Sequence, residues 1–165
     1  MSITDRAIVC DKNIWLDYYL PERPHHEDAV FLVEVAFAKN ANLAYAGDTV
    51  KDVFYLLGTA YKAKAREEGE LTESMARAIN EAVWACIDHL TDIAVAIPLD
   101  ERVVWLARHM RDVTNDFEDN SVLAACDLAK VSYLVTHDSK LRKRATVTTK
   151  TAAEMADLIA MGRVS

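Results

Sequence analysis

The chain has 165 residues, a length that suits one domain, and 52% hydrophobic and 27% charged residues are ordinary for a globular protein with a buried core. Its formal charge of −7 argues against a general nucleic-acid coat or a membrane-binding protein, because both use broad basic surfaces. A nuclease is not excluded, since metal-binding acids themselves add negative charge.

The sequence also predicts a soluble, cytoplasmic protein with no membrane segment. Its start, MSITDRAIVC, lacks the pattern of a signal peptide. The most apolar run, residues 29–38, is too short to span a bilayer and contains Glu34. The three cysteines lie in apolar runs without metal-binding spacing, as buried thiols do in a reducing compartment.

Hydrophobic periodicity and helix-capping residues predict the secondary structure along the chain. In chain order they predict a strand at 6–10, helices at 13–20 and 27–39, a strand at 42–46, helices at 49–68 and 72–90, a strand at 93–99, helices at 100–111 and 119–130, a strand at 132–136, a short strand at 145–149 and a helix at 151–162. This alternation predicts an α/β fold with a parallel sheet covered on both faces. We expect a single domain over 1–165, with a helical hairpin at about 49–90.

Four acids from distant parts of the chain are predicted to meet at one edge of this sheet. Asp11 follows the first strand, and Asp52 lies in the first turns of the helix after the second strand. Asp119 begins the helix that leads into strand 132–136, and Asp138 follows that strand. Because the strands are parallel, all four acids lie at the carboxyl edge, where ligands of open α/β sheets bind.

Each acid also has a purely structural interpretation. An Asp at a helix start caps free N–H groups, and an Asp after a strand often begins a turn. Four clustered carboxylates, however, repel one another and raise one another's pKa values. A hard cation relieves this repulsion, and clustered acids without His or Cys ligands indicate Mg²⁺ or Mn²⁺.

Three stretches of the sequence resemble the PIN-domain nucleases, especially the VapC-type toxin ribonucleases and their close bacterial relatives. The stretch IVCDKNIWLDYYL is similar to the family's first strand and Asp-Thr-Asn-like motif, and GDTVKDVFYLLG to the helix bearing the second acid. DFEDNSVLAACDLAKVSYLVTHD is similar to the third motif, with the family's interval of 19 residues between Asp119 and Asp138. The resemblance covers nearly the whole chain and implies a three-layer α/β/α fold with four or five short, mostly parallel strands.

The resemblance implies a Mg²⁺- or Mn²⁺-dependent endoribonuclease that hydrolyses RNA phosphodiesters, as the toxin of a toxin–antitoxin module. It implies an antitoxin partner and a homodimer, to which part of the apolar hairpin surface would contribute. The implied metal ligands and catalytic residues are Asp11, Asp52, Asp119 and Asp138. The supporting residues are Asn13, Asp116 and Thr136. Of these, Asn13 is expected to be an N-cap that also orients Asp11.

Substrate phosphates are predicted to contact the basic residues near the site, which are Lys12, Lys140, Arg142 and Arg144. A solvated helix end is an equal interpretation for the run KLRKR at 140–144. Asp17, one helical turn beyond Asn13, is predicted to face solvent.

The sequence departs from the family at three positions, and two of the departures, Lys12 and Asp52, favour an alternative function. Lys12 stands where the family usually has a small hydroxyl residue, Asp52 replaces Glu, and His137 replaces a frequent Arg. The alternative is a catalytically weak PIN scaffold that binds RNA or a protein. A different acidic α/β Mg²⁺ protein, such as a phosphatase or a phospho-receiver, ranks last. A haloacid-dehalogenase phosphatase needs Asp-x-Asp at the end of the first strand, and a receiver needs an Asp and a Lys after particular strands, and neither pattern is found.

Overall fold

The computed structural model describes residues 7–164, and its centre is a five-stranded sheet in which every strand pairing is parallel. The strands are β1 (Ile8–Cys10), β2 (Leu43–Ala46), β3 (Val95–Ile97), β4 (Tyr133–Val135) and β5 (Thr149–Lys150). Their order across the sheet is β3-β2-β1-β4-β5. The predicted α/β class and parallel sheet are therefore confirmed.

The helices connect these strands and cover the sheet. They are α1 (Lys12–Tyr19), α2 (His26–Ala38), α3 (Thr49–Glu68), α4 (Glu73–Ile93), α5 (Glu101–His109), α6 (Phe117–Ala129), α7 (Ser139–Arg144) and α8 (Ala152–Ala160). Helices α3 and α4 pack against each other as a hairpin. No helix within residues 7–164 combines the length and apolar character that a membrane crossing requires.

Two apolar clusters lie on opposite faces of the sheet, because successive side chains of a strand point to opposite faces. In β1, Ile8 and Cys10 join the cluster formed with α1, α2, α3, α4 and α8. Val9 joins the cluster formed with α5, α6 and α7. Since β1 and β4 are covered on both faces, they read as continuous apolar runs, and the predicted three-layer arrangement is confirmed.

The boundaries of several predicted elements were wrong, for local reasons. Strand β3 is shorter than predicted because α4 continues to Ile93. Helix α6 begins two residues earlier than predicted, because the Asp116 side chain, and not Asp119, caps its first amides. The basic run 140–144 belongs to α7, which agrees with the helix-end interpretation of this run although no helix was assigned there, and β5 begins at Thr149 instead of residue 145.

The topology brings the ends of β1 and β4 side by side. The two strands are neighbours at the centre of the sheet, with Cys10 in register with Val135. The Asp11 backbone N–H continues this pairing and donates to the Val135 carbonyl at 2.9 Å. The loops that carry Asp11 and Asp138 therefore leave the same edge next to each other, as the sequence predicted.

Candidate active site

Asp11 is the most buried of the four predicted ligands, with a relative exposure of 9%. It occupies the N-cap position of α1, but its carboxylate accepts no capping hydrogen bond from that helix. Asn13 is thus the second residue of α1, and its predicted N-cap role was wrong. Burial raises the pKa of Asp11, while a hydrogen bond from Thr136 and the backbone N–H and charge of Lys12 oppose this rise. A buried carboxylate is costly unless it is paired, and the net rise shows that Thr136 and Lys12 compensate this cost only in part, which makes Asp11 the strongest ligand candidate.

Thr136 links the two central loops through one buried hydroxyl. Its Oγ1 donates a hydrogen bond to Asp11 Oδ2 at 2.9 Å. The same oxygen accepts a hydrogen bond from the backbone N–H of Asp138 at 3.1 Å. Thr136 therefore fixes the Asp11 carboxylate and the start of the Asp138 loop at the same time.

Asp116 and Asp138 both have the structural role that their sequence positions allow. Asp138 Oδ1 accepts hydrogen bonds from the amides of Lys140 and Leu141 at 2.7 and 3.0 Å. Asp116 Oδ1 accepts them from the amides of Glu118 and Asp119, at 2.8 and 3.4 Å. Each cap uses only Oδ1, so the second oxygen of each carboxylate can serve another partner.

Asp119 lies in the first turn of α6, close enough to several other acids to be affected by their negative charges. Its pKa is raised to about 6, first by burial and then by the negative charges of neighbouring acids. These neighbours are Asp116, Asp138, Asp11 and Glu118. The structure thus brings Asp119 together with Asp11 and Asp138, as predicted.

Lys12 forms an ion pair inside this acidic cluster. Its Nζ contacts Oε1 of Glu118, a residue 106 positions away in the sequence. Burial opposes the charge on Lys12, but the hydrogen bond and charge of Glu118, with the charges of Asp52 and Asp11, raise its pKa. Lys12 is therefore a resident counter-charge, and Glu118 is a site residue that sequence reasoning missed.

Asp52 completes the cluster from α3, together with a second acid that the sequence analysis missed. The Asp52 side chain is mostly covered, and its Oδ1 lies 3.4 Å from Lys51 Nζ. The pKa of Asp48, which precedes α3, is raised by its burial and then by the charges of Asp52 and Glu118. The signal for Asp48 was present in the sequence, since it directly follows β2 and Gly47 at the same edge.

The cluster has the donor chemistry of a metal site without a preformed cage. Among the described residues, no three Asp, Glu, His or Cys side chains are arranged so that they could hold a metal ion. Lys12 supplies a positive charge inside the cluster, near Glu118, Asp52 and Asp11. The uncapped Asp11 and the raised pKa of Asp119 nevertheless fit a hard divalent cation bound by oxygen ligands.

The predicted phosphate-binding residues of α7 have different surroundings. Arg142 Nη2 donates to Glu154 Oε2 at 2.9 Å, and Arg144 Nη1 donates to the Val113 carbonyl at 3.5 Å. Lys140 is exposed, and its backbone amide is held by Asp138. An exposed ion pair such as Arg142–Glu154 is weak, so a phosphate can compete for the guanidinium.

Asp17 is buried, so the prediction that it faces solvent was wrong. Its Oδ1 accepts a hydrogen bond from Arg23 Nε at 2.6 Å, and its Oδ2 lies 3.9 Å from His137 Nε2. The His137 ring stacks on His25 with 3.9 Å between ring centroids. Burial lowers the pKa of His137, and the His25 charge adds to this effect. These contacts hold the residue that precedes Asp138.

The fold and the site define a class of protein, an α/β domain with a parallel five-stranded sheet and a carboxylate cluster at its carboxyl edge. A family model described as "PIN domain" matches residues 7–140, a range that includes all four predicted ligands. The chain therefore belongs to the PIN domain family, and the predicted resemblance is confirmed.

A search of curated proteins found no significant match. Among solved structures, the chain is similar to a chain in the crystal structure of VapBC2 from Rickettsia felis bound to a DNA fragment from their promoter, with a TM-score of 0.62. The identity is 12%, and the alignment covers 88% of this chain and 98% of that chain. At this identity the likeness concerns the fold.

Proposed function

We propose that this protein is a Mg²⁺- or Mn²⁺-dependent endoribonuclease of the VapC type. The observation that carries the proposal is the buried, uncapped Asp11 beside Asp119, whose pKa is raised to about 6 by burial and the surrounding acids. Membership of the PIN domain family and the likeness to a chain of the VapBC2 structure support it. The ligands in this proposal are Asp11, Asp52, Asp119 and Asp138.

The residues of the chain have distinct tasks in this reaction. A bound divalent ion lowers the pKa of a water ligand and offsets charge on the reacting phosphate. Asp11, fixed by Thr136, and Asp119, deprotonated above about pH 6, would hold the cation at the sheet edge. Asp138 and Asp116 keep their helix caps with one oxygen, which leaves the other oxygen of each carboxylate available to the cation or to one of its waters. Lys12 lies where it can contact a substrate phosphate.

The proposal is tested by RNA cleavage with Asp11→Asn beside the wild type. The wild type is expected to cut a mixed pool of structured and single-stranded RNAs with Mn²⁺ or Mg²⁺ and to stop in EDTA. Asp11→Asn keeps the side-chain shape and an acceptor for Thr136, but we expect cleavage to fall at least about 100-fold through loss of a charged ligand. Gel analysis of end-labelled RNA measures the rate.

Asp127→Asn is the matched control, because Asp127 is an exposed acid at the far end of α6 and is expected to leave the rate unchanged. Absence of cleavage by folded wild type with either metal would contradict the proposal. In that case, Mn²⁺ binding in a calorimetric titration would favour the alternative, a scaffold that binds RNA or a protein without cutting. The Lys12–Glu118 pair inside the cluster is the observation that favours this alternative.

Thr136 gives a second test, since it positions the Asp11 ligand without touching the substrate. Thr136→Val removes the hydroxyl that holds Asp11 and Asp138 but preserves the shape of the side chain. We expect it to weaken Mn²⁺ binding by roughly 10- to 100-fold, the usual effect of losing a residue that orients a metal ligand. Thr136→Ser retains the hydroxyl and is expected to bind Mn²⁺ within about threefold of wild type. Equal affinities of the Val and Ser variants would contradict this role.

We also propose that the protein forms a homodimer and is controlled by an antitoxin, and the likeness to a chain of the VapBC2 structure supports the antitoxin. The α3–α4 hairpin exposes apolar surface that suits such contacts, including Tyr55, Leu56 and Trp84. The acidic edge suits a basic segment of an antitoxin. Light scattering is expected to give twice the 18.5 kDa chain mass, and Trp84→Ser to shift the mass toward the monomer. A monomeric wild type at micromolar concentration would contradict the dimer.

A further inference from the structure

A groove beside the acidic cluster combines arginines with an exposed aromatic ring. It lies between the end of α5 and the start of α6, and its lining includes Arg108, Arg111, Thr114, Phe117 and Asn120. Phe117 is 54% exposed although it is the first residue of a helix that packs into the core. Neither Arg108 nor Arg111 forms an ion pair with any residue in 7–164.

The first turns of α6 connect this groove to the proposed active site. Asp116 and Asp119 belong to the acidic cluster, while Phe117 and Asn120, their neighbours in sequence, line the groove. The groove and the cluster therefore share the first turns of α6. Arg144 brings a third guanidinium to the same side, since it donates to the carbonyl of Val113 in the loop before α6.

Asn120 adds an unsatisfied polar group to the groove. The residue is 3% exposed, and its Nδ2 donates to the Thr114 carbonyl at 3.0 Å. Its Oδ1 has no hydrogen-bond partner among the described residues. A buried acceptor without a partner costs free energy, so the layer directly beneath the groove contains an incompletely paired polar group.

We propose that this groove binds an unpaired nucleotide of the RNA substrate next to the phosphate that is cut. This inference rests on the proposed function, because it assumes an RNA strand at the acidic edge. The base stacks on the Phe117 ring, and this stacking tolerates any base because every base has a π face. Arg108 and Arg111 neutralise the adjoining phosphates. Because the whole chain has a net charge of −7, a local group of basic residues has to supply this neutralisation. The chemistry of the groove therefore selects single-stranded RNA over duplex RNA.

Binding in EDTA tests the groove without any cleavage. Fluorescence anisotropy of a labelled 12-nucleotide single strand measures the Kd of wild type, Phe117→Leu, Phe117→Trp and Arg111→Gln. Phe117→Leu is expected to raise Kd about fivefold to fiftyfold by loss of stacking, while Phe117→Trp stays within about threefold of wild type. Arg111→Gln is expected to lower the slope of log Kd against log salt concentration by about 0.7, as for one phosphate contact.

The controls are Trp105→Leu and Arg66→Gln, which change an exposed aromatic ring and an exposed arginine outside the groove. Both are expected to leave Kd and its salt dependence unchanged, and thermal melting confirms that all variants are folded. A duplex of the same sequence is expected to bind at least about tenfold more weakly. Wild-type affinity of both Phe117→Leu and Arg111→Gln for the single strand would overturn the proposal.

Two further outcomes separate this inference from its alternatives. A labelled poly-glutamate 12-mer that binds as tightly as RNA, with the same loss in Phe117→Leu, would overturn it in favour of an acidic protein segment. Groove variants that lose RNA binding while the wild type cuts nothing with metal would support the groove and contradict the nuclease. A wild type that cuts, with groove variants that bind and cut equally well, would support the nuclease and contradict the groove.

Discussion

Replacing Asp119 by asparagine is expected to abolish metal-dependent cleavage and, in the absence of metal, to stabilise the folded protein at neutral pH. The ordinary pKa of 3.8 is raised to about 6, so the charged form of this carboxylate is disfavoured in the folded state. Burial is the main cause, and repulsion by Asp116, Asp138, Asp11 and Glu118 adds to it. Asparagine removes the charge and preserves the shape of the side chain.

The pH dependence of this stabilisation follows from the direction of the shift. Because the folded state binds the Asp119 proton more tightly than the unfolded state, deprotonation costs stability as the pH rises from 3.8 to about 6. The cost is complete above that range and absent below it. Each pKa unit corresponds to about 1.4 kcal/mol, but the side chain is partly exposed, so solvent screening reduces the expected gain to about 1–2 kcal/mol.

Urea denaturation in EDTA at pH 5, 6, 7 and 8 measures this gain. The difference between Asp119→Asn and wild type is expected to grow from pH 5 to pH 7 and then to stay constant. Asp127→Asn, at the exposed end of the same helix, is expected to show no such difference. Mn²⁺ is expected to stabilise the wild type more than Asp119→Asn. A variant less stable than wild type at pH 7, or one that cuts RNA at the wild-type rate, would contradict the assignment of Asp119.

The sequence was sufficient to predict the sheet and the gathering of acids because both follow from local patterns. Apolar runs marked the strands, and the alternation with helices required parallel strands whose ends meet at one edge. Asp11 and Asp138 could therefore be placed together without knowledge of a single contact. The 19-residue interval from Asp119 to Asp138 and the family resemblance then indicated the chemistry.

What the sequence could not predict depends on contacts between distant residues or on competition between equivalent groups. The Lys12–Glu118 pair joins positions 106 residues apart, and no local pattern connects them. Three acids lie close together at the start of α6, namely Asp116, Glu118 and Asp119, and only the geometry shows that Asp116 caps the helix, which frees Asp119 for the cluster. Asp17 was assigned to solvent, because a short helix has little periodicity. The structure instead buries Asp17, and the hydrogen bond from Arg23 compensates its charge.

Replacing Lys12 by methionine is expected to increase the affinity for Mn²⁺ at least about tenfold at low salt. Lys12 places a positive charge beside Glu118, Asp52 and Asp11, so it repels a divalent ion that enters the same cluster. Methionine keeps an unbranched side chain of similar length without the charge. In the metal-free protein the acids then lose their counter-charge, and the melting temperature is expected to fall. The same variant therefore becomes less stable in EDTA and gains more stability from Mn²⁺ than wild type.

Lys51→Met is the matched control, because Lys51 Nζ lies 3.4 Å from Asp52 Oδ1 but its side chain is 67% exposed. Solvent screens an exposed charge, so we expect this variant to change Mn²⁺ affinity by less than about twofold. Calorimetric titration measures both affinities, and RNA cleavage at limiting Mn²⁺ shows whether tighter binding also lowers the metal concentration needed for activity. An unchanged or weaker affinity in Lys12→Met would show that Lys12 supports the metal ligands instead of competing with the metal. Tighter metal binding without RNA cleavage in either protein would favour the scaffold, since the cluster would then bind the cation without performing the hydrolysis.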